Sequence, residues 1–427
     1  MNAPILTQPP VDAAAAALRR LLAAWPHAYT SERADAINAL ARAYLHADLG
    51  PEARIDAEIA LTRALDDPEP RVRRALAQAL AGSRAAPRHV VVALAADAAH
   101  VARIVLAASP LLADEDLIEA VATGEIDAQV AVARRPRLGA PVAAALAEVA
   151  ERPAALALLG NVGAEIEDAA LWRLFDRFAA DEEVRARFAA RPALTAALRA
   201  ALAAATVEAC AAEIDRFEPR QAHRVARDGR EQAFVAIAGD CPSQQLIGLV
   251  EWLRRRNFLT LGLLVRALAG GDVALMGESL AQMARAPRRR VVALMRAPRG
   301  HGFSALWRRA AMPAALLPAF RIAIERAGAA GPGIGVNHAL TVAIVRDIEA
   351  LGETALRPVA AKLWRLAAEG ARADAREFVI PESAPVEAEA LEWESAAPPL
   401  RLDASPGNEN FAPEIALDFE DDAPLAA

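Results

Sequence analysis

The chain has 427 residues, a net charge of −7, 4% aromatic residues and two cysteines. Cys210 and Cys241 are too few for a disulfide framework, and no uncharged apolar run of about 18 residues offers a membrane-spanning helix. The hydrophobic share of 55% is carried largely by alanine, the best helix former, so the composition points to an all-α protein with little place for strands.

In chain order, the first 26 residues lack the basic start and short apolar core of a secretory signal. The alanine-rich run before Arg19-Arg20 reads as a first amphipathic helix, and a cytoplasmic protein without a membrane segment is expected. Residues 1–65 are predicted to form N-terminal capping helices. From residue 66 to 205 a helical unit recurs about every 27 residues. Its register is carried by Ser109-Pro110-Leu111-Leu112, Arg135-Pro136-Arg137-Leu138 and Arg191-Pro192-Ala193-Leu194. The first two lie 26 residues apart and the last two 56, so one copy belongs between them. Asn161-Val162-Gly163-Ala164 fills that slot in degenerate form, without the proline.

After each signature comes an apolar pair one helical turn apart: Leu117/Val121, Val142/Leu146, Leu171/Phe175 and Leu198/Leu202. Proline supplies no backbone donor and restricts the residue before it, so the first helix of each pair ends at the same point. In the first unit Val72, Leu76, Ala79 and Leu80 make one stripe. Helices this short bury their apolar faces only against neighbouring units, which predicts an α-solenoid of short antiparallel helix pairs.

Residues 206–376 are predicted to continue as helices without a clear period. Helices read over 207–218, 229–238, 243–256, 258–270, 273–285, 303–311, 314–327 and 337–369, punctuated by Pro287, Pro298, Pro313 and Pro332. Leu246, Leu249, Val250 and Leu253 form a regular stripe in the third of these. Gly270-Gly271-Asp272 reads as a helix stop followed by an N-cap, since glycine tolerates the left-handed conformation and aspartate accepts from free amides.

Residues 377–427 hold 13 acidic residues against one basic residue, Arg401, which leaves residues 1–376 with a balance of about +5. This composition predicts a disordered acidic C-terminal tail. Between Glu414 and Asp422, Ile415, Leu417 and Phe419 alternate with acidic and small residues. That pattern suits an extended segment docking within the molecule on an arginine-bearing face, in competition with an external ligand.

Several strings resemble the bacterial domain-of-unknown-function family numbered 2336. They are Ser109-Pro110-Leu111-Leu112-Ala113-Asp114-Glu115-Asp116-Leu117-Ile118, Ala133-Arg134-Arg135-Pro136 and Leu158-Leu159-Gly160-Asn161. Later in the chain they are joined by Leu263-Leu264-Val265-Arg266-Ala267-Leu268 through Gly271-Asp272, and by Ala310-Ala311-Met312-Pro313. The resemblance spans roughly residues 60–330 and implies a HEAT-like helical repeat fold. It brings no catalytic residues. The chain departs from the pattern at Asn161-Val162, where the signature proline is missing.

The seven histidines contain no HxxxH pair and neither cysteine has a neighbour at metal-ligand spacing, so no metal, cofactor or catalytic site is expected. Gly331-Pro332-Gly333-Ile334-Gly335-Val336 follows no strand and lacks the third glycine of a dinucleotide fingerprint, so it reads as a flexible linker between helices. His301, between Gly300 and Gly302, is a candidate anion contact or general base, or else part of a loop whose glycines allow a tight turn.

The remaining candidate ligand-binding residues are arginines: Arg134 and Arg135, Arg254, Arg255 and Arg256, and Arg288, Arg289 and Arg290. With Arg71, Arg73, Arg74, Arg137, Arg308 and Arg309 they either line one face for phosphates or an acidic protein segment, or are solvated helix faces in a chain whose only lysine is Lys362. The expected function is a non-catalytic scaffold or adaptor holding a segment of an unknown protein partner. The alternative is a nucleic-acid-binding solenoid, against which stand the negative total charge and the scarcity of aromatics for base stacking.

Overall fold

A computed structural model describes residue 25, residues 28–333 and residues 335–377. The predicted acidic tail beyond residue 377 lies outside the described residues. Within them the protein is all-helical, with 21 α-helices and no strand. The chain divides into two compact units, Met1–Leu194 and Thr195–Ala427.

Unit 1 contains α1 (Thr30–His46), α2 (Pro51–Arg63), α3 (Pro70–Leu80), α4 (Arg88–Ala95), α5 (Ala99–Ala108), α6 (Asp114–Thr123), α7 (Ile126–Ala133), α8 (Ala140–Val149), α9 (Arg152–Gly160), α10 (Asp168–Phe178) and α11 (Glu182–Ala189). From α3 onward each helix has 8 to 11 residues, too few to be stable alone, so packing carries them. Helices α1, α3, α5, α7, α9 and α11 each pack on the next of that series, and α8 packs between α6 and α10. The four sequence signatures follow α5, α7, α9 and α11, where the helix ends were predicted. Val72, Leu76 and Leu80 are fully buried, as are Val121, Val142 and Leu146; Leu202 is only half-buried.

Successive units are tied by side chains that reach back to the open carbonyls at a preceding helix end, groups that no intrahelical donor can satisfy. Arg135 donates to the carbonyls of Leu106 at 2.5 Å and Ser109 at 2.7 Å. Asn161 Nδ2 donates to Ala133 at 2.8 Å and Arg135 at 2.7 Å. Arg177 donates to Ala147 at 2.8 Å and Ala150 at 2.7 Å, and Arg191 to Leu159 at 2.9 Å. Burial pushes the guanidinium pKa of Arg135 and of Arg191 down, although both remain cations.

This ladder explains the degenerate signature. Asn161 does for α7 what Arg135 does for α5, and its Oδ1 also accepts from the amide of Gly163 at 2.8 Å. Leu138 donates to Gly163 O and Glu165 donates to Leu138 O, a short bridge that draws the two turns together. A Cβ on Gly163 would lie 2.0 Å from Pro136 O, so only glycine fits. The turn is set by asparagine and glycine, while Val162, where the proline would stand, points into solvent.

Unit 2 contains α12 (Ala196–Asp215), α13 (Pro219–Asp240), α14 (Ser243–Arg255), α15 (Leu261–Ala269), α16 (Val273–Met283), α17 (Arg288–Met295), α18 (His301–Arg309), α19 (Leu317–Ala330), α20 (His338–Glu349) and α21 (Arg357–Glu377). Its centre is α15, whose residues from Gly262 to Ala269 are all buried against α13, α16, α19, α20 and α21. Leu246, Leu249, Val250 and Leu253 are buried as their stripe predicts, and Asp272 caps α16 by accepting from the amides of Ala274 and Leu275.

Several elements differ from the sequence reading: the helix predicted over 229–238 begins at Pro219 and runs to Asp240, and Arg288–Met295 is helical where no helix is predicted. Helix α12 starts at Ala196 and runs unbroken to Asp215, pairing with α13, where a helix over 207–218 is predicted, and the compact units separate at Leu194–Thr195. The helix read over 337–369 is two, α20 and α21, separated where Gly352 takes φ +68°. The glycine-rich stretch after α19 is pinned to the chain: Gly333 donates to Gly270 O at 2.9 Å and Asn337 to Ala269 O at 3.1 Å. A Cβ on Gly271 would meet Gly331 O at 2.0 Å, so these glycines serve backbone-to-backbone packing.

Candidate anion-binding cleft

Pro219 at the first turn of α13 starts a helix that continues Arg220, Gln221, Ala222, His223, Arg224, Val225, Ala226, Arg227, with Arg230 one turn further. Arg220, Arg224 and Arg227 stand at i, i+4 and i+7, on one face of the helix, while Ala222 and Ala226 are buried on another. Arg365 from α21 joins that face, and Asn257, Phe258 and Thr260 close it from the turn between α14 and α15. Together they line a cleft of about 1350 Å³ within unit 2.

The charges of the cleft are unbalanced. Arg220, Arg224, Arg227, Arg230 and Arg365 line it against Glu218 and Glu231. Arg220, Arg224 and Arg365 are exposed and pair with no described residue. Arg227 is half-buried; its Nε donates no hydrogen bond, and the nearest carboxylate oxygen, of Asp228, is 3.8 Å away. Arg230 lies over the Phe258 ring at 5.2 Å and reaches Glu208 at 3.5 Å.

A buried ion network underlies the cleft. Glu231, 5% exposed at its side chain, accepts from Lys362 Nζ at 2.8 Å and from Arg266 Nε at 3.4 Å through Oε2. Arg266, 3% exposed, grips Glu369 with two bonds of 2.6 and 2.9 Å. Burial alone would lower the pKa of Arg266, but Glu369, Glu231 and Asp228 together offset this and hold it above the ordinary arginine value. Lys362 also reaches Asp228 at 3.3 Å. The network joins α13, α15 and α21, which fixes the elements carrying Arg227 and Arg365 relative to each other. Glu231 Oε1 is buried without a hydrogen-bond partner, an unsatisfied group within the network beneath the cleft.

The residues singled out from the sequence fall elsewhere. Arg135 belongs to the carbonyl ladder, whereas its neighbour Arg134 is exposed. Arg254, Arg255 and Arg256 close α14, with Arg255 paired to Glu251. Arg288, Arg289 and Arg290 open α17; Arg288 sits 3.7 Å from Glu278, and Arg289 and Arg290 are exposed. His301 is the exposed first residue of α18, and a Cβ on its neighbour Gly302 would meet Leu294 Cδ2 at 2.6 Å, so that glycine serves packing. None of these lines the cleft. Adjacent arginines in a helix point in different directions, whereas spacing at three and four residues brings them together, and that spacing was the missed signal in 220–230. Arg365, far off in sequence, carries no such signal.

A family model described as an uncharacterised protein conserved in bacteria, DUF2336, matches residues 101–359. The chain belongs to this family. The DUF2336 segment starts and ends later than the sequence resemblance suggested, taking in the repeats from α5 onward and unit 2 as far as the start of α21. Four of the five cleft arginines lie inside it, and Arg365 lies just beyond. No curated protein and no solved structure matches the chain. No described group of histidine, cysteine, aspartate and glutamate could hold a metal ion, and no described helix is long and apolar enough to cross a membrane.

Proposed function

We propose that the chain is a non-catalytic adaptor of the bacterial cytoplasm that holds an acidic segment of a partner protein in the cleft of unit 2. The observation that carries this reading is the gathering of five guanidinium groups in one cleft, three of them without a described partner. Guanidinium is planar and matches carboxylates bidentately, which favours acidic side chains as ligands. Unit 1, in this reading, is a HEAT-like α-solenoid: its short antiparallel pairs stack α3 to α11 in order, and such stacks expose long surfaces for partners. Along the repeats Arg73, Arg135, Arg177 and Arg191 are spent on carbonyls or on Asp97, while Arg71, Arg74, Arg134 and Arg137 stay exposed, which keeps a nucleic-acid-binding surface on unit 1 as the second reading.

The test is fluorescence anisotropy of the full chain at low salt, with a labelled peptide of alternating glutamate and leucine and, separately, a labelled single-stranded DNA. The peptide should bind saturably up to millimolar protein, with at least a tenfold loss in the Arg224→Glu/Arg365→Glu variant and none in Arg137→Glu, an exposed arginine of unit 1. DNA binding that these same cleft substitutions abolish, without peptide binding, would overturn the reading in favour of nucleic acid.

A further inference from the structure

We infer that the cleft has an occupant within the chain: residues 414–422, which an external acidic segment must displace. This rests on the cleft reading above and adds the identity of one ligand. The first argument is charge. Residues 377–427 hold 13 of the chain's acidic residues and only Arg401 as a base, and the densest group is Glu414, Asp418, Glu420, Asp421 and Asp422. The cleft is the complement, five arginines against two glutamates.

The second argument is pattern. In an extended backbone alternate side chains share a side, so Glu414, Asp418, Glu420 and Asp422 fall together and Ile415, Leu417 and Phe419 fall opposite. The cleft offers cations along α13 and α21 to the acidic side of such a segment, and the half-buried Phe258 ring is an apolar group in the same lining.

The third argument is reach. Arg365 lies in the cleft on the same helix that ends at Glu377, about 18 Å further along the axis. The 36 residues from 378 to 413 span at most about 120 Å, so the segment is covalently held near the cleft. A tether of this kind gives an effective concentration on the order of 1 mM. Against an intrinsic dissociation constant of about 100 μM, that weakens an external competitor about tenfold.

The experiment uses the full chain and a labelled synthetic peptide of residues 411–424 as the probe. Three proteins are compared at low salt: the wild type, the variant Glu414→Gln/Asp418→Asn/Glu420→Gln/Asp421→Asn/Asp422→Asn, and that variant with Arg224→Glu/Arg365→Glu added. The neutralised tail should raise peptide affinity about tenfold, and the added cleft substitutions should remove the gain, with unchanged far-UV circular dichroism in all three. Equal affinity of the wild type and the neutralised variant overturns the intramolecular occupant while leaving the cleft reading intact. Absence of peptide binding by the neutralised variant overturns both.

Discussion

Replacing Arg135 by alanine tests whether the arginines of the repeats are structural. The guanidinium donates to Leu106 O at 2.5 Å and to Ser109 O at 2.7 Å, carbonyls at the end of α5 that have no helical donor. A hydrogen bond to a charged group contributes about 1.5–3 kcal/mol, and two are lost. Part of this is offset because the buried guanidinium no longer has to be desolvated, so the net cost is expected at about 2–4 kcal/mol. Two compact units need not unfold together, so a single denaturation midpoint is a poor measure. Hydrogen exchange read peptide by peptide is better: amides of α5 and α7 should exchange about thirtyfold to a thousandfold faster, at one tenfold step per 1.4 kcal/mol. Arg134→Ala, at the exposed neighbour, should change exchange by less than about twofold. Wild-type exchange in Arg135→Ala, together with lost binding of an acidic peptide, would refute the ladder and restore Arg135 as a ligand contact.

Three further outcomes are expected. Gly163→Ala should destabilise unit 1 by about 1–3 kcal/mol, because its Cβ cannot sit 2.0 Å from Pro136 O and the bridge to Leu138 must open; unchanged amide exchange in α9 and α10 would contradict this. Arg266→Met leaves Glu369 unpaired and Glu231 with Lys362 alone, and should cost about 3–5 kcal/mol in thermal or chemical unfolding of unit 2; a neutral result would mean the network does not hold the cleft floor. In unit 1 the Arg152 guanidinium beside Asp181 holds its carboxyl down at about 2. The folded state therefore resists protonation more than the unfolded chain, so this contribution is complete above about pH 4 and disappears as pH falls to about 2. Asp181→Asn should flatten that part of a melting-temperature profile, and parallel profiles for the two proteins would refute it.

Much of unit 1 was legible because proline, alanine and the apolar pairs act locally: the helix ends after α5, α7 and α11 need only the chain's own backbone chemistry. Asn161 was legible as an exception and not as a solution, since its two carbonyl acceptors lie 26 and 28 residues back. Unit 2 was less legible. Gly352 breaks a helical stripe by a backbone angle that no hydrophobic pattern records, and α15 is buried on all sides, so periodicity gives it no face. The cleft depended on two facts of different kinds. The spacing of Arg220, Arg224 and Arg227 was readable on one helix, whereas the arrival of Arg365 beside them needs the fold.

The carbonyl ladder also imposes a direction on how the chain is completed. Its donors all lie downstream of their acceptors, by 26 residues for Arg135 on Ser109 and by 32 for Arg191 on Leu159. During synthesis each helix end therefore waits, open to water, until roughly one more unit has left the ribosome. A nascent unit 1 would close from its amino-terminal side, one rung at a time, and the last rung would be set only when Arg191 emerges at the edge of unit 2.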